Sequence, residues 1–257
     1  ADADKDKTVR CVVLTGAGRG FSSGQDLAAV AARYTTNEPI ELGAHLRERY
    51  NPIITRLRTM EKPVIASVNG VAAGAGCSLA LACDIRIAAE SASFIEAFVN
   101  VGLVPDSGST FMLPRLIGVS RAMEMAFTGR KIAAPEALQI GLVNQLVPDD
   151  QLAAATKKLA DKLAGLPTRA IGLTKRAINA SWRSDLETQL LEESKAAAAG
   201  HVTRALWILV SFTVVGAAAG AAGALSAARM VKRMVVALVG ASAAIAQGDV
   251  AQIVEYR

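Results

Sequence analysis

Short apolar runs alternate with longer helix-period stretches along this chain of 257 residues. Cys11-Val12-Val13-Leu14-Thr15 runs into Gly16-Ala17-Gly18-Arg19-Gly20, which predicts a buried strand feeding a glycine-rich turn. Pro63 to Val68 predicts a second strand, Asp84 to Ala89 a third and Leu142 to Val147 a shorter one. Residues 26–58 predict helix with a break between Thr35 and Pro39. Further helices are predicted over 121–128, 135–140 and 151–164, with Pro135 suited to a first helical turn. Asn69-Gly70 turns the chain, Gly74-Ala75-Gly76 permits close backbone approach, and Cys77 to Ala82 begins a buried helix. Ser184-Asp185-Leu186-Glu187 has the capping-box pattern and opens a long helix that takes in the alanines at 196–199. Strands and helices mixed in this way give an α/β chain.

Charge changes the picture at one place. Up to about Ser194 charged, glycine and apolar positions are mixed, whereas Ala205 to Ala228 contains no charged residue. This sets a boundary, with domains predicted at 1–200 and 201–257. At 52% hydrophobic content the chain can bury a full core. The net charge of +5 is scattered and accompanied by only two Trp and three Tyr, which argues against nucleic acid as a partner. Cys11, Cys77 and Cys83 form no C-x-x-C pair, so reduced thiols in a cytoplasmic protein are expected, with no metal. The charged N-terminal segment has no apolar stretch of the kind a secretory signal needs.

The glycines after the first strand do not make a dinucleotide fingerprint. Counted from Gly16 the third glycine of G-x-G-x-x-G falls at Phe21, and counted from Gly18 it falls at Ser23. Two other segments, Phe21 to Leu27 and Asn69 to Cys77, each place small residues between a strand and a helix. There, unpaired backbone N–H groups can point at an oxygen that gains negative charge, and two such donors make an oxyanion hole. Either segment alone reads equally well as packing glycine. Asp106, in Gly102-Leu103-Val104-Pro105-Asp106-Ser107-Gly108-Ser109, is the candidate carboxylate base, against a solvated turn residue after proline. Glu96 is expected on the surface. His45 and His201 flank no serine or cysteine motif, so a hydrolytic triad has no support.

Residues 10 to about 195 resemble the crotonase (enoyl-CoA hydratase/isomerase) superfamily. The resemblance runs through Gly24-Gln25-Asp26-Leu27, Lys62 to Gly70 and Ala82-Cys83-Asp84-Ile85-Arg86-Ile87-Ala88. It implies a crotonase-like ββα spiral core and an acyl-CoA substrate, with coenzyme A as part of the substrate and no separate cofactor. By the same resemblance the N–H groups of Gln25 and Ala75 hold the thioester oxygen. Ser23, Asp26, Leu27, Ala73, Gly74 and Phe98 would line the coenzyme A and acyl path. The two glutamates of the family's hydratases are replaced here by Ser78 and Phe98. Asp106 matches the acid of the isomerase branches, and Asn100 to Thr110 is most similar to the ring-epoxide isomerases of the phenylacetate pathway. The resemblance therefore implies an isomerase with a single Asp base, assembled as a trimer or dimer of trimers. The alternative is a hydratase-like or catalytically impaired crotonase module joined to a membrane segment.

The family pattern stops after Ala199-Gly200. The 24 uncharged residues at 205–228 are long enough to span a bilayer, with Gly216-Ala217-Ala218-Ala219-Gly220 as a helix-packing motif. Arg229, Lys232 and Arg233 follow, and 230–250 resembles the start of a HAMP signalling helix. Cytoplasmic placement is the expectation, with membrane anchoring through 205–228 as the alternative. The positive-inside rule would then put the crotonase part outside, a conflict that points to a hybrid chain. The family's usual first strand, hairpin and helix are absent before Val9, so the core is expected to be N-terminally truncated, with a long-helix, transmembrane-like appendage at the other end.

Overall fold

The computed structural model describes residues 2–25 and 42–199. The expectations placed on 26–41 and on the segment from 200 onward lie outside the described residues. The chain divides into two compact units between Gly172 and Leu173.

The first unit carries seven strands: β1 (Val12–Thr15), β2 (Val64–Val68), β3 (Val71–Ala73), β4 (Ile85–Ala89), β5 (Ser93–Ile95), β6 (Lys131–Ala133) and β7 (Gln145–Val147). Four of them form a parallel sheet in the order β1-β2-β4-β7, with Val12 opposite Val64, Ile65 opposite Ile85 and Ile87 opposite Gln145. The other three make a small sheet, β3 parallel to β5 and β5 antiparallel to β6. All five residues of β2 are buried, as a central strand covered on both faces requires, and this is why the run Val64 to Val68 shows no alternation. At the sheet edge, β1 alternates between half-buried and exposed positions.

The longer helices described in this unit are α1 (Asn51–Thr59), α2 (Ala75–Ala82), α3 (Ser109–Ile117), α4 (Val119–Thr128), α5 (Ala134–Gln139) and α6 (Leu152–Gly165), with short helical segments at Asp2–Lys5, Leu42–His45 and Leu46–Tyr50. Val64, Ile65, Leu81, Ile87, Phe94, Met112, Met125, Ile132 and Leu142 are nearly or fully buried and belong to one core. Inside it, Ser67 Oγ and Thr156 Oγ1 satisfy each other at 2.8 Å, fixing α6 on β2.

Two polar side chains set the strand ends. Arg86 is 3% exposed; its Nε donates to the Leu142 carbonyl at 2.7 Å and one Nη to the Cys83 carbonyl at 2.8 Å. Leu142 and Asn144 are engaged with Arg86, so the last strand begins at Gln145 rather than at Leu142 as expected. Asn69 clamps the turn after β1. Its Oδ1 accepts from Gly16 N at 3.0 Å and its Nδ2 donates to the carbonyls of Gly16, Gly18 and Gly20 at 3.2, 2.9 and 3.3 Å. A Cβ on Gly16 would lie 1.9 Å from the Gly20 carbonyl oxygen, and one on Gly70 would lie 2.1 Å from that of Arg19. These glycines serve close backbone packing.

In the second unit, residues 186–199 are helical. The cap differs from expectation by one residue: Thr188 N donates to Asp185 Oδ1 at 2.8 Å, while Ser184 Oγ donates back to the Ala180 carbonyl at 3.0 Å. Asp185 is therefore the N-cap, because Ser184 is already bonded to the preceding helix α7 (Thr168–Ser181). No helix among the described residues is long and apolar enough to cross a membrane, and 205–228 lies outside them.

Candidate active site

Phe21 N and Ser22 N both donate to the Val71 carbonyl, at 3.0 and 3.1 Å, and Ala73 N donates to the Ser22 carbonyl at 2.9 Å. The chain after the Asn69-clamped turn is thus laid along β3. Gly24 follows with φ +89°, and a Cβ there would lie 2.9 Å from the Ala73 carbonyl oxygen and 3.2 Å from the Ala75 nitrogen. A Cβ on Gly76 would fall 2.4 Å from the Ser22 carbonyl oxygen. The two small-residue segments singled out in the sequence therefore meet, and glycine is what lets them touch.

Gly74 turns the chain from β3 into α2. Its φ of 51° and ψ of −125° are open to glycine, and its N–H donates to the Ile95 carbonyl at 2.9 Å. The next intrahelical donor is Ser78 N, to the Gly74 carbonyl at 3.0 Å. Among the described residues no side chain caps α2, so its first-turn N–H groups, that of Ala75 first, are the ones a helix leaves for an outside acceptor. Gln25 stands beside this turn with its side chain already engaged: Oε1 accepts from the Tyr50 hydroxyl at 2.8 Å and lies 3.2 Å from His45 Nε2. His45 is thus part of the wall that orients Gln25.

Asp106 is half-buried on the loop before α3. Burial pushes its carboxyl above the usual range, and the Ser107 hydroxyl, donating to Oδ1 at 2.8 Å, opposes that rise. The Tyr50 phenol is pushed up by burial and by the Asp106 charge, and its hydroxyl is held on Gln25. Ser107 has φ +52°, the one non-glycine residue at positive φ among those described. Ser78 joins the loop to α2: its Oγ donates to the Asp106 carbonyl at 3.0 Å, lies 3.3 Å from the Gly74 carbonyl oxygen and 2.8 Å from Ser109 Oγ.

Of the residues expected to line the substrate path, Phe98 is buried with its ring tip 3.9 Å from where a Gly74 Cβ would stand. Ala73 and Gly74 are half-buried and Ser23 is exposed. Asp26 and Leu27 lie outside the described residues. Gln25, Ala73, Gly74, Ala75, Phe98 and Asp106 are brought to one region; Ser23 faces solvent. No group of three His, Cys, Asp or Glu among the described residues is arranged to hold a metal.

Glu96 corrects the sequence reading. It is fully buried rather than on the surface, with Oε1 2.9 Å from Ser109 Oγ. Its carboxyl is pushed up to about 7, first by burial and also by the Asp106 charge, with Ser109 and Cys77 opposing. Glu96 stands between the end of β5 and a 3-10 turn at Ala97–Val101, with buried Phe94 and Phe98 two residues to either side.

Residues 1–202 match the family model described as Enoyl-CoA hydratase/isomerase. The chain belongs to the enoyl-CoA hydratase/isomerase family. It is 48% identical over 187 residues to the 1,2-epoxyphenylacetyl-CoA isomerase of Escherichia coli (strain K12), covering 73% of this chain and 71% of that one. Among solved structures it is similar to a putative enoyl-CoA hydratase/isomerase from Mycobacterium abscessus, with TM-score 0.75, 36% identity, and coverage of 84% of this chain and 82% of that one. It is also similar to a monofunctional enoyl CoA isomerase from M. smegmatis, with TM-score 0.60, 40% identity, and coverage of 74% and 79%. As an enoyl-CoA hydratase/isomerase family enzyme it has the α/β crotonase-like fold with a parallel sheet, and its substrate class is acyl-CoA.

Proposed function

We propose that this enzyme is an acyl-CoA isomerase acting on an aryl- or alkenyl-acetyl-CoA, by ring-epoxide or double-bond isomerisation. The observation that carries the reading is the placement of Asp106, a half-buried carboxyl with a raised pKa, tied through Ser78 to the start of α2. The N–H groups of Gln25 and Ala75 take the thioester oxygen, and Ser23, Asp26, Leu27, Ala73, Gly74 and Phe98 line the coenzyme A and acyl path. Charge drawn onto that oxygen acidifies the carbon beside the carbonyl. The Asp106 carboxylate removes a proton from that carbon, leaving the electron pair delocalised into the thioester as an enolate. The same carboxyl returns the proton elsewhere on the conjugated system, so a single acid completes the cycle.

Ser78 and Phe98 support isomerisation over hydration. A pair of carboxylates is what water addition would need, and Ser78 instead spends its hydroxyl on the Asp106 loop. The similarity to the E. coli 1,2-epoxyphenylacetyl-CoA isomerase supports the same choice. The decisive measurement is turnover of ring-epoxide and 3-enoyl thioesters by the protein and by Asp106→Asn. Loss of about 10² to 10⁴ in kcat with coenzyme A binding retained is expected. Equal rates in the two proteins would sink the assignment.

The run of uncharged residues at 205–228 favours membrane association as a second property. The exposed apolar side chains Val104, Val119 and Phe127 favour self-association as a trimer. Sedimentation with and without liposomes reads both: a monomer that stays in the supernatant would contradict each.

A further inference from the structure

Glu96 is a buried titratable group that the proposed reaction does not use. Its position is defined by a line of short contacts. Glu96 Oε1 lies 2.9 Å from Ser109 Oγ, Ser109 Oγ lies 2.8 Å from Ser78 Oγ, and Ser78 Oγ lies 3.0 Å from the Asp106 carbonyl oxygen. Three contacts in series need three protons, and the two serines bring only two; the Gly74 carbonyl, 3.3 Å from Ser78 Oγ, is the longer of that hydroxyl's two carbonyl contacts and adds an acceptor but no proton. With Glu96 ionised, Ser109 gives its proton to the carboxylate. Ser78 must then donate to Ser109, and the Asp106 carbonyl keeps only the Ser109 N–H at 3.0 Å. With Glu96 protonated, its O–H supplies the third proton and every contact runs one way, Glu96 to Ser109 to Ser78 to the Asp106 carbonyl.

We infer that Glu96 is a positioning residue whose ionisation sets the direction of this hydroxyl chain, and with it the hydrogen bonding of the peptide that carries Asp106. Burial agrees: the Glu96 side chain is sealed from solvent, and apart from Ser109 its carboxyl has only the Cys77 thiol, a weak donor, beside it, a state a neutral acid tolerates far better than a carboxylate. The charged and titratable groups around it come from several elements. The α2 helix contributes the Cys77 thiol, itself pushed well above its usual value by burial and by Glu96. The loop before α3 contributes Asp106, whose charge adds to the rise that burial imposes on Glu96. Arg86 on β4 opposes the rise at Cys77 through its charge, and Lys131 on β6 is exposed opposite Ile95. The catalytic consequence rests on Asp106 being the base; the hydrogen-bond switch itself does not.

Asp106-Ser107 is the sole Asp-Ser pair in the chain, so the full-length protein labelled with carbonyl-¹³C Asp and ¹⁵N Ser gives one HNCO cross-peak, from the Asp106 carbonyl. In the unsubstituted protein that peak should move with a midpoint near neutral pH, separate from any step at lower pH due to the Asp106 carboxyl. Glu96→Gln should abolish the neutral step and leave the acidic one. Ser109→Ala, which keeps Glu96 but removes the link, should also abolish it. A peak that does not move near neutrality, or a neutral step that survives either substitution, overturns the inference. Turnover separates this from the isomerase reading: loss of acyl-CoA isomerisation as an assignment leaves the NMR result to stand or fall alone.

Discussion

At the scale of single residues, the site depends on how closely two backbones approach. Gly24 is the sharpest case, because it combines φ +89° with a Cβ position 2.9 Å from the Ala73 carbonyl oxygen and 3.2 Å from the Ala75 nitrogen. Gly24→Ala therefore meets two costs. A left-handed conformation without glycine costs about 1 to 2 kcal/mol, and the methyl group pushes β3 and the start of α2 away from residue 25. Misplacing one donor of an oxyanion hole typically removes about 10² to 10³ in rate. The expected outcome is a fall of that order in kcat with a smaller loss of stability, measured by turnover and thermal unfolding. Unchanged kcat in a folded Gly24→Ala protein would show that Gln25 and Ala75 do not act together. Tyr50 and His45 sit one step further out, holding the Gln25 side chain.

At the scale of elements, the principal sheet was legible and the small one was not. β2 announced itself as a continuous apolar run because a strand covered on both faces buries every side chain; β4 was legible despite its buried Arg86, and β1 despite its partial exposure at the sheet edge. The strands β3, β5 and β6 have three residues each, too few for any period to show, and β3 lies inside a segment read as a glycine turn. α3 was missed because Pro114 interrupts its pattern. The two turns of the proposed oxyanion hole and the Asp106 loop were legible as motifs, whereas the serines joining them are ordinary residues whose role exists only in three dimensions. Asn69 is such a joint. Asn69→Ala removes all four of its hydrogen bonds to the Gly16 to Gly20 turn, and buried polar groups left unpaired cost about 1 to 3 kcal/mol. A lower urea midpoint and weaker coenzyme A binding are expected together, since this turn sets the course of the chain into Gly24. A loss of stability with coenzyme A affinity unchanged would uncouple the turn from the site.

At the scale of the whole molecule, burying Glu96 ties stability to pH. Its carboxyl moves from 4.5 to about 7 on folding, so the folded state holds the proton more tightly than the unfolded chain. The resulting stabilisation is fully present below about pH 4.5 and is lost as pH rises to about 7, an effect on the order of 3 kcal/mol. Asp106, also raised, acts in the same direction at the acidic end. The carboxyls of Asp6, Glu136, Asp149 and Asp185 are lowered, so they act in the opposite direction, and only as pH falls through the usual carboxylate range. Cys77, raised from 9.0, weakens the fold only at alkaline pH. Among the described carboxyls, Glu96 is therefore the one whose shift acts between pH 5 and 7.5. Hydrogen exchange of the β2 and β4 amides reads the opening of the unit that contains it. Their opening free energy should fall across that interval in the unsubstituted protein and stay level in Glu96→Gln. A level profile in both would mean that Glu96 ionises in the folded state as readily as in the unfolded chain, which its sealed side chain argues against.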